Sequence, residues 1–452
     1  MALNRELADF VVGVTAEQTP DVVRERARSC LVHGLVVGAA SVQTGFGDMA
    51  ERAAGPEAGA GARSLVSGRS FAPQIAAHIN GTLLQARAQE DTHGTFHAGV
   101  VVLPAALAAA EAAEADGETL LDGVIAGYEV GIALASRYTE LSTPPHRATG
   151  VYGPVAAAAA AARIAGLDAE RTAAALSIAS AHAGGTTESF GAGTHEWHFQ
   201  SGLAACSGVI AARLAAAGAL GSDRAFEGAG GFLDAYPGTT EGIEEIAAAL
   251  GTEWGILDVT FKPFPVCAFN QTPALIAARL QASGEVDPAG VKSIRIELNE
   301  REANYPGMDN RGPYRAVEET LMSTQFSVAT ALTSGSITFA SLHSFDDPTL
   351  VALTAAATLV GEADRAPKTA AIEVELADGA RAELAIDDPQ SEFSWSPERV
   401  RENAVGLRAE THWGDSELRR LIERIDACDE LGAATELVDA FAPPGLGAVE
   451  SR

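Results

Sequence analysis

The sequence predicts a mainly α protein, a large all-helical domain joined to a smaller α+β domain. Three observations carry that expectation. From Pro20 to about Gly251 apolar residues recur at helical spacing almost without a break. After Phe264 the pattern changes to strand-like alternation, in residues 291–300 and on both sides of the turn dipeptide Asp378-Gly379. At 452 residues the chain exceeds the size over which one core keeps growing. The expected division is residues 1–267 as the helical domain, completed by C-terminal helices over 396–452, with residues 268–395 as the α+β domain.

Taken in order, residues 20–38 carry an apolar helical face with Arg24, Arg26 and Arg28 on the other side. Pro104 suits the first turn of a helix ending near Gly117, since proline lacks the N–H that a first turn leaves unused. Helices are expected next over 119–138, 155–165, 168–183 and 202–220. Asp168 is a candidate N-cap, with Arg171 rather than an acid three residues on. Their many Ala and Gly residues let neighbouring axes approach closely. In the second domain, helices over 323–334 and 347–359 separate the strand at 291–300 from the hairpin at 369–386. Helical pattern resumes at Ser396, and residues 416–427 and 431–442 are expected to pack back onto the first domain.

Composition narrows the function classes. Sixty acidic against 31 basic residues give a formal net charge of −29, which repels phosphate backbones and anionic lipid. No nucleic-acid or membrane partner is expected, and no stretch reads as a membrane span. Cys30, Cys206, Cys267 and Cys428 are too scattered for a disulfide framework, a zinc site or an iron–sulfur cluster. The N-terminus lacks the basic start and apolar run of a signal peptide, so the cytoplasm is the expected location.

Chemistry concentrates in residues 80–108, NGTLLQARAQEDTHGTFHAGVVVLPAALA. Glu90, Asp91, Thr92, His93, Thr95 and His97 fall within eight positions beside Gly94 and Gly99. Asp91, His93 and His97 would offer a carboxylate and two imidazoles to a metal only on a helix. The two glycines argue for a loop and no HExxH occurs, so no metal is expected.

This segment resembles the first signature of the MmgE/PrpD family, which includes 2-methylcitrate dehydratase, cis-aconitate decarboxylase and iminodisuccinate epimerase. Further signatures follow in order: TGVYGPVAAAAAAARIAGLD at 149–168, GLAACSGVIAARLAAAGALGS with FEGAGGF over 202–232, and FKPFPVC at 261–267 followed by MSTQFSVATALTSG at 322–335. The resemblance implies a helical domain with an α+β lid, a homodimer, no cofactor and a site between the domains. It also implies that a small di- or tricarboxylate loses a proton next to a carboxylate, which requires cations at the carboxylate oxygens and a positioned base. Asp91, Thr92, His97 and Lys262 match the family's motif residues, with one residue deleted between Thr92 and His97. Elsewhere the chain departs. Ala88 stands where an Asp is common, Gln85 and Gln271 where His is common, Arg147 on the family's His with His146 beside it, and Trp197 on a Lys, next to His198.

The implied roles are His97 as proton shuttle, oriented by Asp91 and Thr92, and Lys262 and Arg147 as carboxylate holders. His146, His198 and Gln271 are expected at the substrate. Each has a plain alternative: an N-cap pair at Asp91 and Thr92, a turn-capping His97, a snorkelling Lys262, solvated loop charges at His146 and Arg147, and helix-start packing at His195 and His198. A 2-methylcitrate dehydratase-like hydro-lyase is the leading expectation. An iminodisuccinate-like epimerase, a cis-aconitate-like decarboxylase and a non-catalytic helical binding protein are the alternatives. Convergence of His97, Lys262 and Arg147 on one cleft separates the enzyme readings from the last.

Overall fold

A computed structural model describes residues 2–55, 61–138 and 145–441; the end of the expected C-terminal segment, 442–452, lies outside them. The fold is mainly helical with a small α+β part, 60% helix and 10% strand. At its centre lies the helix Ala148–Ile164, buried on almost every side. Its run of alanines offers little side-chain bulk, so helices Gly99–Ala113, Gly117–Arg137 and Glu196–Ala216 close directly around it. A Cβ added to Gly208 would sit 2.3 Å from that of Ala157, which shows how tight the crossing is.

Two proline positions correct the expected boundaries. The central helix starts at Ala148 rather than 155, and Pro154 lies inside it. Proline cannot donate to the carbonyl four residues back, so Gly150 O is left over. The Gly184 N–H takes it at 3.0 Å, which ties the loop after the helix Ala169–Ser180 to the start of the central helix. Pro104 likewise lies inside a helix, Gly99–Ala113, and not at its first turn. Asp168 caps as its position suggests, its Oδ1 accepting from the Arg171 N–H at 2.8 Å.

The arginine face of the helix Asp21–Ser41 is not a solvent face. Arg24 pairs with Asp122 at 2.7 Å, and both are buried. Arg24 and Arg28 also bind Asp429, while Arg26 donates to Trp395 O and Leu257 O at 2.7 Å each. The C-terminal segment thus closes over the first helices and shares their core through Trp395, Leu418, Leu421 and Phe441.

A second apolar core begins at Phe264 and runs to Ile386. Its sheet has the order Ala357–Glu362, Val291–Asn299, Ala370–Leu376, Arg381–Ile386, the first pair parallel and the others antiparallel. Gly379, at φ 90°, supplies the left-handed residue of the hairpin turn. Residues 347–359 divide, contrary to expectation: the helix Pro348–Ala356 gives way at Ala357 to a strand that pairs with Val291–Asn299. A short apolar run fits helix and strand equally, and the free edge of the sheet decided it.

Among the described residues two helices, Gly117–Arg137 and Glu196–Ala216, are long and apolar enough to cross a membrane by length and composition, which the sequence reading did not anticipate. For the first, 83% of the apolar window is buried in the core, which explains its composition.

On Gly117–Arg137, Glu129 accepts the Gly255 and Ile256 N–H groups at 3.0 and 2.9 Å, fixing the turn that leads to Thr260–Phe261. Burial raises its carboxyl to about 7. Because the folded state keeps this proton longer than the unfolded chain, stability contributed by the site falls as pH rises from about 4.5 to about 7. Glu129→Gln is expected to lack that slope, so its stability relative to the native chain should improve across the window and level off above it. Urea unfolding at several pH values measures this.

Candidate functional site

The strand Asp91–Thr92 pairs antiparallel with Thr260–Phe261, Asp91 opposite Phe261 and Thr92 opposite Thr260. That register sets Glu90 beside Lys262, 172 positions away in sequence. Lys262 Nζ donates to Glu90 Oε1 at 2.5 Å and to Ala88 O at 3.0 Å. Ala88 is in the left-handed region at φ 54°, which turns its carbonyl toward the ammonium. His97 Nδ1 lies 2.5 Å from the same oxygen of Glu90.

Lys262 and Glu90 are both almost fully buried. Lys262 and His97 together hold the Glu90 carboxyl far below the usual carboxylate range, against the desolvation that would raise it. His97 itself is lowered to about 4, chiefly by burial and then by the Lys262 charge, so its imidazole is neutral at physiological pH. Its place is fixed by its neighbours. Phe96 is buried against Gly131 and Tyr152, and the His97 N–H meets Thr149 Oγ1 at 3.3 Å.

Arg147 enters from the other side, at the N-cap of the central helix. Its guanidinium donates to Trp197 O, Gln200 Oε1 and Gln85 Oε1 at 2.5, 3.3 and 2.9 Å, and lies over the rings of Phe190 and Trp197. It forms no ion pair among the described residues. Burial lowers it to about 10, still leaving it cationic at neutral pH. Gln85 is held in turn by Ser201 Oγ at 2.9 Å.

These groups line one cavity, whose walls include His97, Lys262, Glu90, Arg147 and His146 from the helical part, and Cys267, Phe269 and Tyr305 from the α+β part. Ala88 and Trp197, from the helical part, also join the second apolar core, so the cavity lies at the junction of the two. Of the expected residues, His97, Lys262, Arg147 and His146 come together here.

The rest do not line this cavity. Asp91 is buried behind it: Oδ1 accepts the Gly99 N–H at 2.8 Å and Oδ2 the Tyr128 hydroxyl at 2.6 Å. Alternation along a strand turns Asp91 away from the face that Glu90 uses. Thr92 contacts Thr260 Oγ1 at 3.0 Å and faces an adjoining cavity. His198 stacks between Trp197 and Phe46, 3.3 Å from Glu318 Oε1, and supports the cavity wall from behind. Gln271 brackets the turn after Lys262, accepting from Phe264 N–H and donating to Phe264 O and Val266 O. The metal geometry also fails, because Asp91, His93 and His97 lie on a strand and turn rather than a helix, and among the described residues no group of three or more His, Cys, Asp or Glu could hold a metal ion.

Sequence reasoning named Glu90 within the chemical cluster but gave it no role, and it passed over Tyr305. Glu90 stood in the motif, and a strand reading of residues 90–92 would have set it on the face opposite Asp91. Nothing in the sequence marks Tyr305. Asp91→Ala should cost about 2–3 kcal/mol, from the lost helix cap and a buried Tyr128 hydroxyl without its acceptor. Asp91→Asn should retain most of that stability and most of the turnover; a collapse of turnover in a folded Asp91→Asn variant would give Asp91 a chemical role. Urea unfolding and steady-state kinetics check both.

Fold and site together define a helical bundle with an α+β partner and, where they meet, a cavity lined by the cations Lys262 and Arg147. The chain belongs to the MmgE/PrpD family: residues 5–243 match the MmgE/PrpD N-terminal domain. It is 30% identical to the cis-aconitate decarboxylase-like protein oryM of Aspergillus oryzae, over 57% of this chain and 57% of that protein. It is 24% identical to a cis-aconitate decarboxylase of Aspergillus terreus over 76% and 74% of the two chains. Identity to the human cis-aconitate decarboxylase is 29%, over 60% of this chain and 57% of that one. The match thus spans little more than half the length of the Aspergillus oryzae and human relatives.

Proposed function

We propose that this chain is a lyase of small polycarboxylates that works through a carbanion-like state next to a carboxylate, formed by removal of a proton or by loss of CO2. The observation that carries this reading is the buried Arg147 guanidinium, without an acidic partner among the described residues, lining the same cavity as the His97–Glu90–Lys262 cluster. A desolvated guanidinium is a bidentate receptor for a carboxylate, and binding would supply the anion that the free site lacks. His97 is neutral and can accept a proton; the charge of a bound polycarboxylate favours its protonated form. Lys262 meets the charge that develops on the enolate-like carboxylate, and Glu90 keeps Lys262 and His97 in register.

How the enolate-like state forms and collapses sets the product. Proton removal with loss of a β-hydroxyl is dehydration, and proton removal and return is epimerisation. Decarboxylation is loss of CO2, which leaves its bonding pair on carbon to take up a proton from a protonated group such as the His97 imidazolium. The relatives' names support decarboxylation of a cis-aconitate-like acid over dehydration of 2-methylcitrate, the leading expectation from sequence. Gln85 and Ala88, where the dehydratase and decarboxylase types often carry His and Asp, motivate keeping epimerisation as an outcome of the test. We further take the chain to work as a cytoplasmic homodimer, which light scattering of the purified protein checks for the oligomer.

The test is deuterium exchange in D2O followed by NMR, with cis-aconitate, 2-methylcitrate, citrate and malate. At least one acid should exchange a proton next to a carboxylate or give a decarboxylated product carrying solvent deuterium, and His97→Gln should abolish that exchange or incorporation. Exchange or incorporation that survives in His97→Gln assigns the acid–base group elsewhere, and the absence of both with every acid overturns the reading.

A further inference from the structure

The cavity that holds His97 and Arg147 is the smaller of two. Sharing Lys262, Phe269 and Tyr305 as a common wall, a second and larger cavity adjoins it. Its lining is largely apolar, with Phe261, Phe269 and Phe393, and Lys368 and Arg301 add positive charge beside Lys262. Asp258 and Glu302 are the carboxyl groups in its wall.

Lys368 is held as a fixed part of this wall. Its carbonyl accepts from Thr272 Oγ1 at 2.6 Å and its N–H donates to Glu302 Oε1 at 2.8 Å, with the backbone in the left-handed region at φ 63°. A lysine on a solvated loop needs no such anchoring. Its ammonium makes no hydrogen bond or ion pair among the described residues, although burial lowers it to about 8. Glu302 lies close to it but spends Oε1 on the Lys368 N–H; burial raises that carboxyl to about 7, and Glu302 Oε2 is buried without a hydrogen-bond partner. The second cavity therefore holds a lysine ammonium without a hydrogen-bond or ion-pair partner among the described residues, and it adjoins the reacting groups directly.

We propose that the second cavity is a subsite for a distal carboxylate of the substrate, and that Lys368 is the residue that recognises it. This rests on the reading of the first cavity as a carboxylate-binding site. The substrate class is then a polycarboxylate whose reacting end fits between His97, Lys262 and Arg147, and whose additional carboxylate stands several atoms away on an apolar arm.

Titration calorimetry of the whole chain with two saturated acids, succinate and butane-1,2,4-tricarboxylate, tests it. The native chain is expected to bind the tricarboxylate at least about tenfold more tightly, the worth of one charge-assisted contact. Lys368→Met should bring the ratio near one, and Lys368→Arg, which keeps the charge, should preserve the preference. Both replacements face the same backbone conformation, and a thermal melt verifies that each is folded. An undiminished preference in folded Lys368→Met overturns the proposal, while loss of binding of both acids in Arg147→Met would leave the first cavity's reading intact. Failure of the native chain to bind either acid overturns both.

Discussion

Lys262→Met is expected to lower turnover by at least about a hundredfold, the usual contribution of a positioned acid–base or charge-stabilising group. It should also destabilise the protein, which a surface lysine would not do. Lys262 and Glu90 are buried together. Removing the ammonium leaves a carboxylate in the interior with only His97 near it, and breaking such a pair costs about 3–5 kcal/mol. Glu90→Gln combined with Lys262→Met removes both charges and should recover much of that loss, so the two substitutions should be strongly non-additive in a double-mutant cycle. The residual activity carries a further signature. Lys262 lowers the His97 pKa and Glu90 raises it; without Lys262 the imidazole holds its proton to higher pH. The acid limb of the pH–rate profile should therefore move upward in Lys262→Met, because His97 must be neutral to accept a proton. Urea unfolding with the pH dependence of turnover measures all three effects, and unchanged turnover in the folded variant would remove Lys262 from the chemistry.

The parts of this molecule that could be read from sequence are those with local causes. Helical periodicity, the Asp168 cap and the Asp378-Gly379 hairpin all depend on residues a few positions apart, and each appears where local chemistry puts it. What could not be read depends on distant partners. Pro154 sits inside a helix because Gly184, 34 positions from Gly150, takes up the carbonyl that proline abandons. Arg24 and Arg26 look like a solvent face until residues 394–429 close over them. The candidate site divides along the same line. Its segment was recognisable from the crowding of acids and imidazoles, but the choice between Glu90 and Asp91 rests on a strand pairing with residues 260–261. Gln85, a departure from the family pattern in sequence, proves to be the acceptor that orients Arg147.

Arg147→Met should abolish carboxylate recognition while leaving the fold at least as stable, the opposite balance from Lys262→Met. In the free protein Arg147 has lost its hydration and gained only neutral acceptors: Trp197 O, Gln200 and Gln85. A buried cation without an anion costs stability, so a methionine of similar length should leave unfolding free energy within about 1 kcal/mol of the native value or raise it. Binding reverses the account. The carboxylate that Arg147 would hold is desolvated with it, and losing one partner of such a pair costs about 2–5 kcal/mol of affinity. The expected loss in kcat/KM is thus on the order of 10² to 10³, most of it in KM where the contact is equally strong in the bound and transition states. Arg147→Lys keeps the charge but not the planar fork, and should fall between the two. The melting temperature of the native chain should rise with added polycarboxylate, and that of Arg147→Met should not. A stabilised, ligand-blind Arg147→Met beside a destabilised Lys262→Met would show that one cation is paired within the fold and the other is left unpaired for the substrate. Equal destabilisation of the two would mean that Arg147 serves the fold, and the carboxylate-binding reading would fall with it.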